Sequence, residues 1–366
     1  VREVHIAENL GVISVSEEAV ETCDKELLED AIKKKLVNLQ PIASHPLKPV
    51  NFLPILNLQK DIENIDDEAT ELMGDDIISY LSELNIFLSL DDGLLEEWDL
   101  ILRQLLFPIR GSIGQCKQLD PFIIELLLRD SQYSIMQHVN FVGGNLAQYS
   151  YWGKLRNILS SFPQYNYHLW FAYTELEQIT GLYASDFFYD IIIVPCFIDD
   201  MEEVKDRIMH LSIRPEKVTL HVYVTSEEEY VASVFPDNYS VCIRPLYTGH
   251  NLDFFKKNVF LKEEDILGSV IGMRKIFCNQ KLNSTFFGVL NVYPDGSVRA
   301  TNDTAVLGNL CQDDIKSIVY RELSANTAWR QIRNSTICDA CCYQYLCPPP
   351  GIYERILERD NLCDLI

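Results

Sequence analysis

The chain has 366 residues, 47% of them hydrophobic and 23% charged, the balance of an ordinary folded protein with room for two domains or one large barrel with appendages. Its formal net charge of -23 repels phosphate backbones and anionic lipid headgroups, which argues against nucleic acid and membrane surfaces as partners. Such acidity serves solubility first and attraction of a basic peptide or protein second. No apolar run reaches the roughly 18 residues of a membrane-crossing helix. The chain opens at Val1 with neither Met nor a signal-peptide pattern, so a missing N-terminal piece is expected.

Residues 11–16 form a short apolar run, and the spacing of Leu28, Ile32, Leu36 and Leu39 predicts a helix after it. Residues 41–67, rich in Pro, Asn and Asp, read as a connector. Strand and helix then alternate. A strand at 84–88 is followed by helices at 94–107 and 121–129, the second with Pro in its first turn. A strand at 138–142, a helix at 152–160 and strands at 168–173 and 190–194 come next. A helix at 201–211 and strands at 218–224 and 241–245 complete the series. This pattern predicts an α/β fold in which a largely parallel sheet closes into a full or partial (β/α) barrel, with function at the C-terminal strand ends. From about residue 282 the pattern changes to a hairpin, 286–293 and 297–301 around Pro294-Asp295-Gly296, and then a short helix at 313–323. The expected division is an N-terminal segment 1–67, a barrel 68–280 and a cysteine-rich domain 281–366. No tandem repeat or low-complexity tract is present.

Eleven cysteines are an odd number, and five of them lie between Cys338 and Cys363. Such crowding suits reduced thiolates gathered for a metal better than a disulfide framework, and it predicts a cytoplasmic protein. Cys338 and Cys341 stand at CxxC spacing, Cys347 follows after five residues, and Cys363 is close to the end. Two thiolates at CxxC spacing face one ion or cluster from a single tight turn, and two more complete four-coordination. The competing reading is a set of buried cysteines acting as small apolar residues. Cys342, adjoining Cys341, reads as a core or spare thiol. Four thiolates suit a [4Fe–4S] cluster or Zn²⁺.

The hairpin, the helix and the CxxCx₅C run with a distant last cysteine resemble a SPASM domain, the C-terminal extension of radical SAM enzymes that modify ribosomally made peptides. The resemblance implies that Cys338, Cys341, Cys347 and Cys363 hold one [4Fe–4S] cluster, with zinc as the alternative. The family's second cluster is not expected. With Gly296 as the pattern's glycine, Thr301 stands where a cysteine belongs, and Cys278 lies too far upstream to open the pattern. Gly351 replaces the cysteine after Cys347, behind Pro348-Pro349-Pro350. The positions of one cluster are lost together and those of the other are kept.

Radical SAM barrels carry CxxxCxxC after their first strand. Here that strand runs into Ser89-Leu90-Asp91-Asp92-Gly93, and no CxxxCxxC exists anywhere in the chain. The next strand ends in Gly143-Gly144-Asn145, similar to the family's GGE motif, which contacts the amino group of S-adenosylmethionine. Asn145 brings no charge to that position, and a tight strand-to-helix turn is the plainer reading of the glycine pair. With Gln344-Tyr345-Leu346-Cys347-Pro348 and the stretch from Pro245 to Phe255, residues 70–366 resemble pseudo-radical-SAM proteins of GG-type peptide-modification systems in Bacteroidales-like bacteria. The resemblance implies a non-catalytic partner or scaffold beside an active maturase and its precursor peptide, with S-adenosylmethionine not expected as a cofactor. The first 45 residues are compatible with the end of a winged-helix leader-peptide recognition domain or with a simple capping helix.

Two other functions stay open at this point: an electron-relay iron–sulfur protein, and an enzyme using the barrel mouth for non-radical chemistry. His138, His168 and His221 fall in or beside predicted strands and read as core or barrel-lining residues, since none of the seven histidines makes HxH or HExxH spacing. No GxSxG or Walker-type loop is present. Asp91-Asp92 and Asp199-Asp200 follow strands and read chiefly as turn formers.

Overall fold

The computed structural model describes residues 74–90, 117–142, 146–177 and 187–364, together with Asp30, Lys33, Leu100, Gln104, Leu105 and four short N-terminal strands. β1 (Glu3–Ala7) pairs antiparallel with β2 (Val12–Ser16), and β3 (Val37–Leu39) with β4 (Val50–Phe52). Asp30 and Lys33 are helical, but Leu39 is in β3, opposite Val50. Cross-strand pairing there overrides the helical spacing that grouped Leu39 with Leu28, Ile32 and Leu36; those three lie outside the described residues. β4 lies within the stretch read as a connector.

The main sheet begins with β5 (Glu83–Phe87). A small ribbon of β6 (Ser89–Leu90) and β7 (Lys117–Gln118) stands beside it. Then come β8 (His138–Val142), β9 (Asn166–Ala172), β10 (Phe187–Ile193), β11 (Val218–Val224) and β12 (Ser240–Pro245). β13 (Val289–Val292), β14 (Ser297–Arg299) and β15 (Gly308–Asn309) finish it. The order is β12-β11-β10-β9-β8-β5-β13-β14-β15. Every neighbouring pair from β12 to β13 is parallel, and the last two pairings are antiparallel. The fold is therefore mixed α/β with a mainly parallel sheet. Barrel closure is not seen: among the described residues no pairing joins β12 to the other end.

Strand alternation gives this sheet two different faces. Val139 and Phe141, Leu169 and Phe171, Ile191 and Ile193, and Leu220 and Val222 enter a large core shared with helix residues such as Ile124, Leu128, Leu155 and Ile208. Each such buried aliphatic side chain contributes roughly 2 kcal/mol, which makes this face the main source of stability. The intervening residues face the other way, where Phe87, Val142, Trp170, Ile192, Tyr223 and Tyr293 form a smaller cluster. Polar side chains occupy the rest of that second face.

Helices begin where the sequence supplies caps. The Asp120 carboxyl accepts from the Phe122 amide ahead of helix Pro121–Asp130, and Asp200 accepts from Glu202 and Glu203 ahead of helix Met201–Met209. Asp200, the second of the Asp199-Asp200 pair, thus caps a helix start. At the hairpin, Gly296 has φ of 82° and a Cβ there would stand 2.8 Å from Asn309 Oδ1, so the tight turn needs glycine. Asp295 accepts from both the amide and the hydroxyl of Ser297. No helix among the described residues is long and apolar enough to cross a membrane.

Candidate metal centre and the polar layer of the sheet

Cys338 lies in the short helix Thr336–Asp339, whose first turn is capped by Ser335 Oγ accepting from the Cys338 amide. The Cys341 amide donates to Cys338 O at 3.1 Å, and the Gln344 amide to Cys341 O at 3.2 Å. This succession of tight turns sets the CxxC pair on one side. The Cys347 amide donates to Tyr343 O, and Asn279 Nδ2 donates to the carbonyls of Tyr345 and Cys347. Cys363 arrives from far along the chain by backbone pairing: Leu261 and Cys363 form a parallel bridge, with Leu261 N donating to Leu362 O and Asp364 N to Leu261 O.

These turns bring Cys338, Cys341, Cys347 and Cys363 to the wall of one cavity of about 20 Å³, which they share with Arg333, Gln344 and Leu362. That space is about one water-sized sphere. Among the described residues no three His, Cys, Asp or Glu side chains are gathered at the spacing of one metal ion. The four thiols surround a common space without closing on a point. Burial pushes the Cys347 thiol up to about 11; nearby Arg333 opposes the rise, and the other three cysteines add to it. Arg333, 6% exposed, is held by Glu354 through Nη2 and by the Pro348 carbonyl through Nε. Cys342 is exposed and outside the cavity wall, a spare thiol and not a core one.

Thr301, at the position where the resemblance placed a missing cysteine, is buried. Its hydroxyl donates to Asp303 and accepts from Arg355, which also pairs with Asp303 at 2.8 Å. Gly351 precedes helix Ile352–Ile356, its amide bonded to Glu354. Gly143, Gly144 and Asn145 lie outside the described residues, as do Asp91, Asp92 and most of 94–107.

The second face of the sheet carries an array that spacing along the chain did not reveal. Three histidines and an aspartate line up across four adjacent strands. His138 Nδ1 is 3.3 Å from His168 Nε2, His168 Nδ1 is 2.8 Å from Asp190 Oδ2, and His221 Nε2 is 2.9 Å from Asp190 Oδ1. His138 is exposed and His221 is buried, so the line runs from solvent into the protein at distances suited to proton transfer. Burial pushes the Asp190 carboxyl up, but hydrogen bonds from His168 and His221 outweigh it and hold Asp190 below the usual carboxylate range. The His221 ring packs tilted by 31° against Trp170 with centroids 4.3 Å apart, and its Nδ1 has no hydrogen-bond partner.

Beside this line runs an amide network. Asn140 Nδ2 donates to Glu83 and to Asn85, Trp170 Nε1 donates to Asn140, and Asn85 Nδ2 donates to Asn291. Asn291 and Tyr293 both donate to Asn302 Oδ1. Burial pushes the Glu83 carboxyl up, with the Asn140 hydrogen bond opposing. His138, His168 and His221, expected as core or barrel-lining residues, lie on the second face of the open sheet, with His221 buried and His138 exposed. Asp190, the partner shared by His168 and His221, is not among the residues the sequence pattern points to; its signal is a charged residue inside the apolar run Phe187–Ile193.

No family model matches the chain, and no curated protein matches it. Among solved structures it is similar to Streptococcus suis SuiB bound to S-adenosylmethionine, with 11% identity over 95% of this chain and 88% of that one, at a TM-score of 0.45. It is likewise similar to Streptococcus suis SuiB at 10% identity over 95% of this chain and 89% of that one, at a TM-score of 0.40. At these scores nothing about this chain's chemistry follows from the likeness.

Proposed function

We propose that the chain is a non-catalytic binding partner in the maturation of a ribosomally made peptide, with its C-terminal segment closed by one four-thiolate centre. The observation that supports the four-thiolate centre is that Cys338, Cys341, Cys347 and Cys363 all line one cavity; the partner role rests on the sequence resemblance. An all-sulfur donor set suits soft iron or zinc. A zinc ion asks four sulfurs to close to about 2.3 Å from one point, whereas a cluster asks them to open round a cube. The CxxCx₅C run and its distant partner resemble a SPASM cluster set, and on that ground a [4Fe–4S] cluster is the proposed occupant. When bound it supplies cross-links between the Cys338–Cys347 turns and the chain end at Cys363.

The absence of CxxxCxxC from the sequence supports a role in binding and not in radical formation. The test is titration of the co-encoded precursor peptide and maturase against the full chain at low and high salt. Binding of at least one of them at about 10 μM or tighter is expected. For a basic partner it should weaken with salt, because exposed charges are screened beyond about 10 Å at 0.1 M ionic strength. If neither binds under any of these conditions, the partner role is wrong.

A further inference from the structure

A cavity of about 280 Å³ lies on the second face of the sheet, beside the turn at 300–303 that follows β14. Its volume is near the lower edge for small-ligand sites. Glu83 on β5 and Arg244 on β12 both line it. Those strands are five positions apart in the sheet order, roughly 24 Å in a flat sheet, so the sheet curls round the cavity. Among the described residues Arg244 has no ion-pair partner, and its Nε is buried without a hydrogen-bond partner. A buried, unpartnered Nε beside a cavity is a donor placed to meet an acceptor there, and the planar guanidinium fork suits a carboxylate. Trp170, Phe286 and Leu105 supply flat and branched apolar wall. Glu83 and Asp303 also line the cavity, which disfavours a doubly charged phosphate more than a singly charged carboxylate.

We propose that this cavity binds a monocarboxylate with an apolar body, its carboxylate held by the Arg244 fork. The source is either a free small acid or the C-terminal carboxylate of a peptide; the chemistry at Arg244 is the same. None of the four clustered cysteines lines the cavity, so the proposal stands apart from the metal centre.

The experiment is calorimetric titration of the full chain with 4-phenylbutanoate, its amide and inorganic phosphate. A second arm compares a short peptide ending in Phe with a free or an amidated C-terminus. At least one free carboxylate probe should bind about tenfold or more tighter than its amide, and phosphate should bind worse than either acid. Binding of the small acid assigns a free acid as the source, and binding of the peptide acid alone assigns a peptide end; both support the proposal. Arg244→Met should weaken carboxylate binding by about tenfold or more, and Arg244→Lys should fall between. If the variants do not fold, the acid-against-amide comparison on the unaltered chain decides. Equal affinity for acid and amide, unchanged affinity in a folded Arg244→Met, or no carboxylate binding at roughly 10 mM overturns the proposal.

Discussion

Replacing Glu322 with alanine is expected to lower the unfolding free energy by about 4 kcal/mol. Glu322 is completely buried near the end of helix Ile315–Ala325. Its carboxyl accepts from the amides of Ala328 and Trp329, both at 2.8 Å, and from the amide and hydroxyl of Thr327. That contact turns the chain out of the helix, past left-handed Asn326, and sets Trp329 in the core. Trp329 then donates its Nε1 to Val289 O on β13 and accepts at its own carbonyl from the Asn283 amide. Alanine leaves the buried amides of Ala328 and Trp329 without an acceptor, and each orphan donor costs roughly 1–3 kcal/mol. Glu322→Gln keeps an oxygen acceptor and should cost about half as much. Denaturant unfolding checks both, and a loss under about 1 kcal/mol for Glu322→Ala would contradict this role.

The second large effect concerns the cysteine knot. Removing metal, or replacing Cys338 with alanine, is expected to speed amide exchange at 336–347 and 357–364 by about a hundredfold or more, with the amides of β5 and β8–β12 unchanged. The reason is what remains once the thiolates are uncoupled. The end of the chain is tied to Leu261 by a single bridge and packs through Leu362 into a small cluster with Phe255 and Phe260. The helix Thr336–Asp339 is four residues long. By contrast, the middle of the segment keeps the buried Arg333–Glu354 pair and the bonds from Asn283 to Gln331 O and Pro350 O. Loosening should therefore show on either side of those anchors and spare them. Uniform exchange before and after metal removal would mean that the four thiols carry no structural load.

The strands were the most legible part of the chain. The runs 138–142 and 218–224 appear in the fold at the bounds predicted for them as β-rich apolar runs. Branched and aromatic residues between turn formers leave little freedom there. The β-hairpin at Gly296 was equally legible, because a Pro-Asp-Gly turn has few geometries. The N-terminal reading was weaker: Leu39 fits a helical face by spacing, yet it pairs with Val50 across a ladder. Clustering of the cysteines was visible as local spacing for Cys338, Cys341 and Cys347. What carries Cys363 to them is the backbone of Leu261, 102 residues earlier by numbering, and no local pattern reports a contact at that distance. The His138–His168–Asp190–His221 line was hidden for a related reason. Each residue is ordinary in its own strand, and only the lateral register of four parallel strands makes them neighbours.

The most direct test of the account is metal and acid-labile sulfide analysis of the chain purified without oxygen, beside the Cys338→Ala variant prepared in the same way. The account predicts about four iron and four sulfide per chain, lost or strongly reduced in the variant. Zinc at about one per chain without sulfide would keep the four-thiolate centre and replace its occupant. Equal metal content in the chain and in Cys338→Ala, or no bound metal in either, would contradict the centre itself.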